Sequence, residues 1–432
     1  MKILAPYAYF APEKAASSYL WKNLHKSFAD NDLDCVVYVP TPTRGISSKT
    51  RNEYKGKRIE ALYDGKLIIN RFRLYSEGRN PFLRALRYVL SCLIQLYKCL
   101  FSKNSKGGDV IFVVSTPPIL GVVGAFVKVF RKIPFIYNLQ DIFPDSLVGT
   151  GLAKKGGLLW KIGRVIENFT YRNADKIIVI SEDFKRNIMA KGVPEEKIVV
   201  VYNWVDEEAV VDVPREENKL FDKYGLDRSK FYVTYNGNIG LTQNMDMLLE
   251  VAKELMPTPN PSQKGRELEP ACVQGKGDIH FVLVGEGAYK AEVEKRIKEQ
   301  GITNVTLLPF QPYEDISHVF SLGDVSLVIS KPGVGANSVP SKTWSIMSAS
   351  RPVLASFDEN ELKTIIEDHH CGIFTKAGDK EAFKAAILKL YHHPELCKEY
   401  GRNGRQFIMD NLTKEVGTRK YVEVIRAFER SL

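Results

Sequence analysis

Short apolar runs alternate with amphipathic stretches along almost the whole chain. In the first half the runs Lys2–Pro6, Cys35–Pro40, Lys66–Arg73, Val110–Thr116, Phe135–Leu139, Lys176–Ser181 and Ile198–Asn203 have the length of strands buried on both faces. Between them, apolar residues recur every three or four positions near Ser17–Ala29, Pro81–Phe101, Ile119–Phe130, Leu158–Tyr171 and Glu182–Ala190, which predicts helices. Asp206–Arg228 is charged and lacks a strong period, and reads as a linker. A second series of runs follows: Phe231–Asn236, His280–Gly285, Thr306–Phe310, Val325–Ser330, Val353–Ser356 and Gly372–Thr375, each leading into a helical pattern. Such alternation builds a doubly wound parallel sheet, and here it predicts two Rossmann-like sheets in tandem. Ligands of these sheets bind beyond the carboxyl ends of the strands. With two sheets facing one another, that crevice is expected to be an interdomain cleft.

The expected division is therefore a first domain over 1–205, a linker over 206–230, a second domain over 231–410 and a C-terminal helix over 411–432. In that helix Val416, Tyr421, Val424, Ile425 and Phe428 are the apolar positions, and it is expected to pack back on the first domain. Residues 257–277 interrupt a helix-to-strand connection that ordinarily needs only a few residues. Their prolines and glycines prevent a packed core, so they read as a surface insertion without a catalytic part.

Charge changes this picture. The chain of 432 residues has a formal net charge of +10. Residues 1–205 carry 32 Lys and Arg against 17 Asp and Glu, so the excess lies in the first half, which should meet an anionic partner. Gly78–Gly108 has no acidic residue, six basic ones, and the apolar stretch Tyr88–Phe101. That composition describes a helix lying in an anionic membrane interface, or else a core helix on a sheet; with Gln95 and Lys98 inside it, it is too short and broken to span. No aromatic and basic strand pattern of RNA binders occurs, so nucleic acid is not the expected partner. The opening Met-Lys-Ile-Leu-Ala-Pro holds no apolar export stretch, and six scattered cysteines without Cys-x-x-Cys spacing fit a reducing cytoplasm.

The candidate chemistry gathers where Val325–Ser330 ends. Lys331–Lys342 contains Gly333 and Gly335, then Asn337, Ser338 and Ser341, and closes on Lys342 at the start of a helical stretch. Glycines permit close backbone approach, amide hydrogens at a helix start hold anionic oxygens, and an ammonium suits phosphate. The segment reads as a diphosphate cradle, or as an ordinary glycine-rich loop. The facing strand end adds Asn236, Gly237, Asn238 and Gly240, and a neighbouring turn adds Gly285 and Gly287. Asp141 follows the strand Phe135–Leu139 and offers a carboxylate, with Asp145 competing for a cap position. Asp358–Glu361 reads as a capping box or as a place where Glu361 holds ribose hydroxyls. Asp30-Asn-Asp32 precedes a strand and reads as a solvated turn, and no His-x-x-x-His spacing occurs. Neither a metal requirement nor another cofactor is expected.

Several blocks carry a family resemblance: Tyr7–Ser17, Asn138–Ser146, Tyr235–Gly240, Val284–Gly287, and Val339-Pro-Ser-Lys-Thr343 with Arg351-Pro-Val-Leu-Ala355. Over nearly its whole length the chain resembles the family 4 glycosyltransferases, and the last two motifs resemble the WbuB-type branch, which builds bacterial surface polysaccharides. The resemblance implies the GT-B fold. It implies transfer of an N-acetylated deoxy-hexosamine from a UDP-sugar to a lipid-diphosphate-linked glycan, with retention of configuration, at the inner face of the plasma membrane. It also implies contact of Asp141 with the transferred sugar or its acceptor proton. Three departures stand out. Ala15-Ala16 replaces the usual Gly-Gly, Gln243 stands where many relatives have a phosphate-binding cation, and Asn337 and Ser345 occupy the places of the two glutamates of Glu-x7-Glu. A UDP-sugar 2-epimerase on the same fold, or a non-catalytic relative binding nucleotide or membrane, are the alternatives.

Overall fold

The computed structural model describes residues 1–13, 18–78, 80–149, 154–257, 277–335 and 339–429. Most of the insertion, 258–276, lies outside them, as do Asn337 and Ser338. The chain forms two compact units, Met1–Asn203 with Lys414–Leu432, and Trp204–Thr413.

The first unit holds β1 (Lys2–Pro6), β2 (Asp34–Pro40), β3 (Ile59–Leu62), β4 (Leu67–Phe72), β5 (Val110–Val114), β6 (Phe135–Leu139), β7 (Lys176–Val179) and β8 (Ile198–Val200). They form one sheet in the order β3-β4-β2-β1-β5-β6-β7-β8. All pairs are parallel except β3 with β4. The helices are α1 (Ser18–Asp30), α2 (Ser48–Tyr54), α3 (Pro81–Phe101), α4 (Leu120–Arg131), α5 (Asp145–Gly149), α6 (Leu158–Asn173) and α7 (Glu182–Ala190). β5 and β6 are buried throughout, which is why their sequences are unbroken apolar runs. β3 is an exposed edge strand without a buried face, and no alternation announced it.

The second unit holds α8 (Lys219–Tyr224), α9 (Met245–Glu254), α10 (Lys290–Glu299), α11 (Ile316–Phe320), α12 (Lys342–Ser348), α13 (Glu361–Asp368), α14 (Lys380–His392) and α15 (Pro394–Asn411). Its strands are β9 (Lys230–Asn236), β10 (Gly277–Val284), β11 (Val305–Leu308), β12 (Val325–Ile329), β13 (Val353–Phe357) and β14 (Gly372–Lys376). They pair in parallel in the order β11-β10-β9-β12-β13-β14. The strand order reverses between β9 and β12, as it does between β1 and β5 in the first unit, and such switch points open crevices for ligands.

The stretch read as a linker is part of the second unit. Val210, Leu220 and Phe221 are buried, and the amides of Val211 and Val213 donate to Ser317 Oγ and Ser321 Oγ, each at 3.0 Å. Its apolar residues are too sparse among the charges to show a period. The final helix, α16 (Lys414–Arg426), belongs to the first unit, where Tyr421 lies edge-on to Phe112 and donates to Asn138 Oδ1 at 3.2 Å. Val416 and Phe428 are only half-buried there.

Helix α3 is turned in a way its amphipathicity left open. Asn80 caps it by accepting from the amides of Phe82 and Leu83, and Pro81 occupies its first turn. Its inward face carries Cys92 and Cys99 together with polar groups. Gln95 Nε2 donates to Tyr7 O at 2.7 Å and Tyr38 O at 3.0 Å, and Arg87 donates to Thr43 Oγ1. The apolar stripe of Phe82, Leu86, Leu93, Tyr97 and Phe101 faces outward, with Phe82 84% and Phe101 69% exposed. The helix thus packs one face on the first unit's core, where Cys92, Cys99, Leu96 and Leu100 meet the sheet, and leaves the opposite face without a neighbour among the described residues. No helix among the described residues is long and apolar enough to cross a membrane.

Candidate active site

The second unit's switch point is built from the ends of β9 and β12. Asn236, the last residue of β9, is buried, and neither its Oδ1 nor its Nδ2 has a partner among the described residues. Ser330, just past β12, and Thr343, in α12, are likewise buried with unpartnered hydroxyls. Orphaned buried polar groups cost free energy, and several gathered at one switch point offer bonds that a polar ligand can take.

Lys342 opens α12 and reaches into this cluster. Its Nζ lies 3.9 Å from the centroid of the Tyr235 ring, whose hydroxyl is fixed by donating to Asn238 O at 2.7 Å. The ammonium lies so close to the strand end that a Cβ on Gly237 would sit 3.1 Å from Nζ. No carboxylate pairs with it among the described residues. Burial without a counter-charge pulls the amine down to about 7. A cation held over an aromatic face, short of a partner, is arranged to receive an anion.

The glycines do something other than expected. Gly285 and Gly287 bring the turn after β10 against the turn after β9, not against open space. Gly237 donates to Val284 O, Ile239 to Glu286 O and Tyr289 to Ile239 O, each at 2.9 Å. A Cβ at Gly285 would stand 1.9 Å from Gly237 O, and one at Gly287 would stand 2.2 Å from Ile239 O. The two turns are one backbone clasp. Gly240 completes it by donating to Gln243 Oε1 at 3.0 Å, so Gln243 holds the loop itself.

The open amide cradle read from Lys331–Lys342 needs correction. The amides of Gly333 and Gly335 donate to Asp358 Oδ1 at 3.0 Å and Oδ2 at 2.8 Å, so an internal carboxylate already fills that nest. At the start of α12, Thr343 donates to Pro340 O and Trp344 to Ser341 O, which takes up two more amides. Ser341 makes no side-chain cap and is exposed. The capping reading of Asp358–Glu361 shifts as well. Asn360 is the cap of α13, accepting from Leu362, and it also donates to Gly335 O at 2.9 Å. Glu361 is buried in the first turn of that helix.

The first unit contributes a separate constellation at its own switch point. A cavity of about 460 Å³ is lined by Tyr7, Tyr9, Phe10, Trp21, His25 and Tyr63, with Val114 and Thr116 at the end of β5. His25 donates through Nδ1 to Trp21 O at 2.6 Å, and burial pushes its imidazole down to about 4, so it forms a neutral wall. The sequence signal for this cavity was the aromatic density of Tyr7–Trp21, which periodicity alone assigns to no face. Asp141 lies two residues past β6; its amide donates to Ser115 Oγ at 3.3 Å and its Oδ2 accepts from Ser146 at 3.1 Å. Burial raises its carboxyl above the ordinary value, against the bonds from Ser146 and the Ile142 amide. Asp145 is engaged elsewhere, paired with Lys191 at 2.7 Å.

Two nucleotide-type sheets in tandem, with a buried amine and orphaned polar groups at the switch point of the second, fit a glycosyltransferase of the GT-B fold. Comparison with known proteins agrees at every level. Residues 18–209 match the family described as Glycosyltransferase Family 4, and residues 216–407 match Glycosyl transferases group 1. The chain belongs to the family 4 glycosyltransferases. It is 26% identical over 303 residues to the glycosyl transferase of Escherichia coli named for colanic acid biosynthesis, WcaI, covering 67% of each chain. It is 23% identical over 362 residues to the glycosyltransferase WbjE of Pseudomonas aeruginosa, covering 83% of this chain and 82% of that one. In three dimensions it resembles Anabaena HepE, crystallised with UDP, at a TM-score of 0.70 and 17% identity, covering 99% of this chain and 100% of that one. The epimerase and the non-catalytic relative are thereby set aside.

Proposed function

We propose that this glycosyltransferase moves an N-acetylated deoxy-hexosamine from a UDP-sugar to a lipid-diphosphate-linked glycan during surface-polysaccharide assembly, with retention, at the inner face of the plasma membrane. The observation that carries the donor half is Lys342, a buried amine over Tyr235 beside the orphaned amide of Asn236. A diphosphate there gains an ammonium and an amide donor, and the same pair stabilises the charge that develops as the nucleotide leaves. The HepE complex with UDP supports the choice of base and diphosphate. Asp141, with its raised carboxyl, serves the transferred sugar or the acceptor proton. The aromatic cavity of the first unit suits the acceptor glycan, whose apolar ring faces pack on Tyr and Trp side chains. Val339–Lys342 and Arg351–Ala355 support the WbuB-type branch. The outward apolar stripe of α3 supports peripheral membrane association.

The test is UDP release from a panel of UDP-N-acetyl-hexosamines in the presence and absence of lipid-diphosphate glycans. Acceptor-dependent release is expected, and Lys342→Ala should lower turnover by about 10²–10³. Release that ignores the acceptor, or a variant with native turnover, would remove the assignment.

A further inference from the structure

The outward stripe of α3 does not stand alone. α4 packs beside α3, tied by Arg131 donating to Cys99 O at 2.8 Å, and α6 packs beside α4 so closely that a Cβ on Gly121 would meet Thr170 Oγ1 at 2.5 Å. Both neighbours also turn large apolar side chains to solvent: Val129 and Phe130 on α4, and Leu158, Ile162 and Val165 on α6. Phe130 is 67% and Val165 69% exposed, and Phe126 bridges the two helices, its ring 6.0 Å from that of Phe169. The face is thus three helices wide on one side of one sheet.

Its charge says what covers it. Across α3, α4 and α6 the only carboxylate is Glu167, which is buried and paired with Arg164 and Lys191. Exposed cations edge the face, among them Arg84, Lys132 and Lys161. At the end of α3, Arg58, Lys98 and Lys103 line a further pocket with Asn70, and Glu60, the nearest carboxylate on β3, is engaged by Lys57 and Arg71. An apolar face of this width framed by uncompensated cations complements an anionic bilayer, with side chains entering the boundary of headgroups and acyl chains.

We infer that α3, α4 and α6 form one lipid-docking face that seats the first unit on an anionic phospholipid bilayer, with Arg58, Lys98 and Lys103 receiving headgroup phosphate at its margin. This rests on the peripheral-membrane part of the proposed function and assigns to three helices what the sequence assigned to one. Lys98 is held below the usual amine range by burial and by the neighbouring Arg58, a crowding that a phosphate would relieve.

Co-sedimentation of the full chain with vesicles tests it, comparing pure phosphatidylcholine with a mixture containing phosphatidylglycerol. Native protein is expected to bind the anionic vesicles at least about tenfold more tightly, with the preference shrinking as salt rises. The triple variant Val129→Ser, Phe130→Ser, Val165→Ser leaves α3 intact and should weaken binding by about tenfold or more, with an unchanged thermal midpoint. Arg58→Gln with Lys103→Gln should reduce the anionic preference but spare whatever neutral binding exists. Native binding by the triple variant would confine docking to α3 and overturn the three-helix face. A concentration-dependent dimer that binds neither vesicle would show the face to be covered by a second copy, and would overturn it too. Because UDP release with a detergent-dispersed acceptor is measured in parallel, loss of the docking face and loss of the enzymatic reading are separable.

Discussion

If Lys342 receives the donor diphosphate, donor binding must take up a proton above neutral pH. An amine held at about 7 in the unliganded protein is charged in about nine molecules of ten at pH 6, and in about one of ten at pH 8. A phosphate charge about 4 Å away, at an effective dielectric of 20, is worth about 4 kcal/mol, which returns the amine to about its ordinary range. The sign follows from linkage. The free protein has the depressed value and the complex the higher one, so affinity is full below about pH 7 and falls as pH rises between the two values. The dissociation constant of a UDP-sugar should therefore rise about fifteenfold between pH 7 and 8.5, at constant salt. A UDP-sugar is the right ligand because its diphosphate has no ionisation in this range, whereas a terminal phosphate titrates near pH 6. Calorimetry in two buffers of different ionisation enthalpy should count about 0.9 protons taken up at pH 8 and about 0.1 at pH 6. Lys342→Arg stays charged throughout and should bind with flat pH dependence. A flat native profile, or the same slope in Lys342→Arg, would refute the placement of the diphosphate on this amine.

Further expectations concern other parts of the site. Asp141→Asn should lower turnover by about 10²–10⁴. Because a raised carboxyl makes its ionised form costly to the fold above its unfolded value, the same change should raise the thermal midpoint at pH 7 and leave it unchanged at acid pH, as calorimetric melting would show. Gly285→Ala forces a Cβ onto Gly237 O at a backbone φ of 156°, and should cost roughly 2–4 kcal/mol in denaturant titration and weaken donor binding with it. A chain in which Pro257 is joined directly to Gly277 should fold and turn over as the full chain does; inactive but well-folded protein would give the insertion a part in catalysis. Turnover is expected to survive EDTA, measured by UDP release.

The two sheets were readable because their inner strands, β5, β6, β12 and β13 among them, are buried on both faces and spell continuous apolar runs. What escaped detection lacked that signature: β3 is an exposed edge, and the 206–230 segment anchors to the second unit through a few apolar residues and backbone bonds to Ser317 and Ser321. At the site, Lys342 and Asn236 stood out because strand ends next to glycines are where ligands gather. Asp358 could not be read as the occupant of the Gly333 and Gly335 amides, since it arrives from more than twenty residues away through the pairing of β12 with β13. The breadth of the lipid-docking face was hidden for a different reason. α4 is apolar nearly all round, a pattern that reads as burial until coordinates show which side has no neighbour.

The return of α16 has a consequence for how the chain comes off the ribosome. Residues 1–203 emerge before α16 and can pair all eight strands, yet Phe112, Asn138 and the face of α1 that packs against α16 lack that neighbour until Lys414–Arg426 is made. The contiguous 204–413 stretch has no such debt and can mature while tethered. The unit that begins folding before its neighbour is thus completed after it, and a premature stop near residue 413 would injure the unit formed by residues 1–203 rather than the one it interrupts.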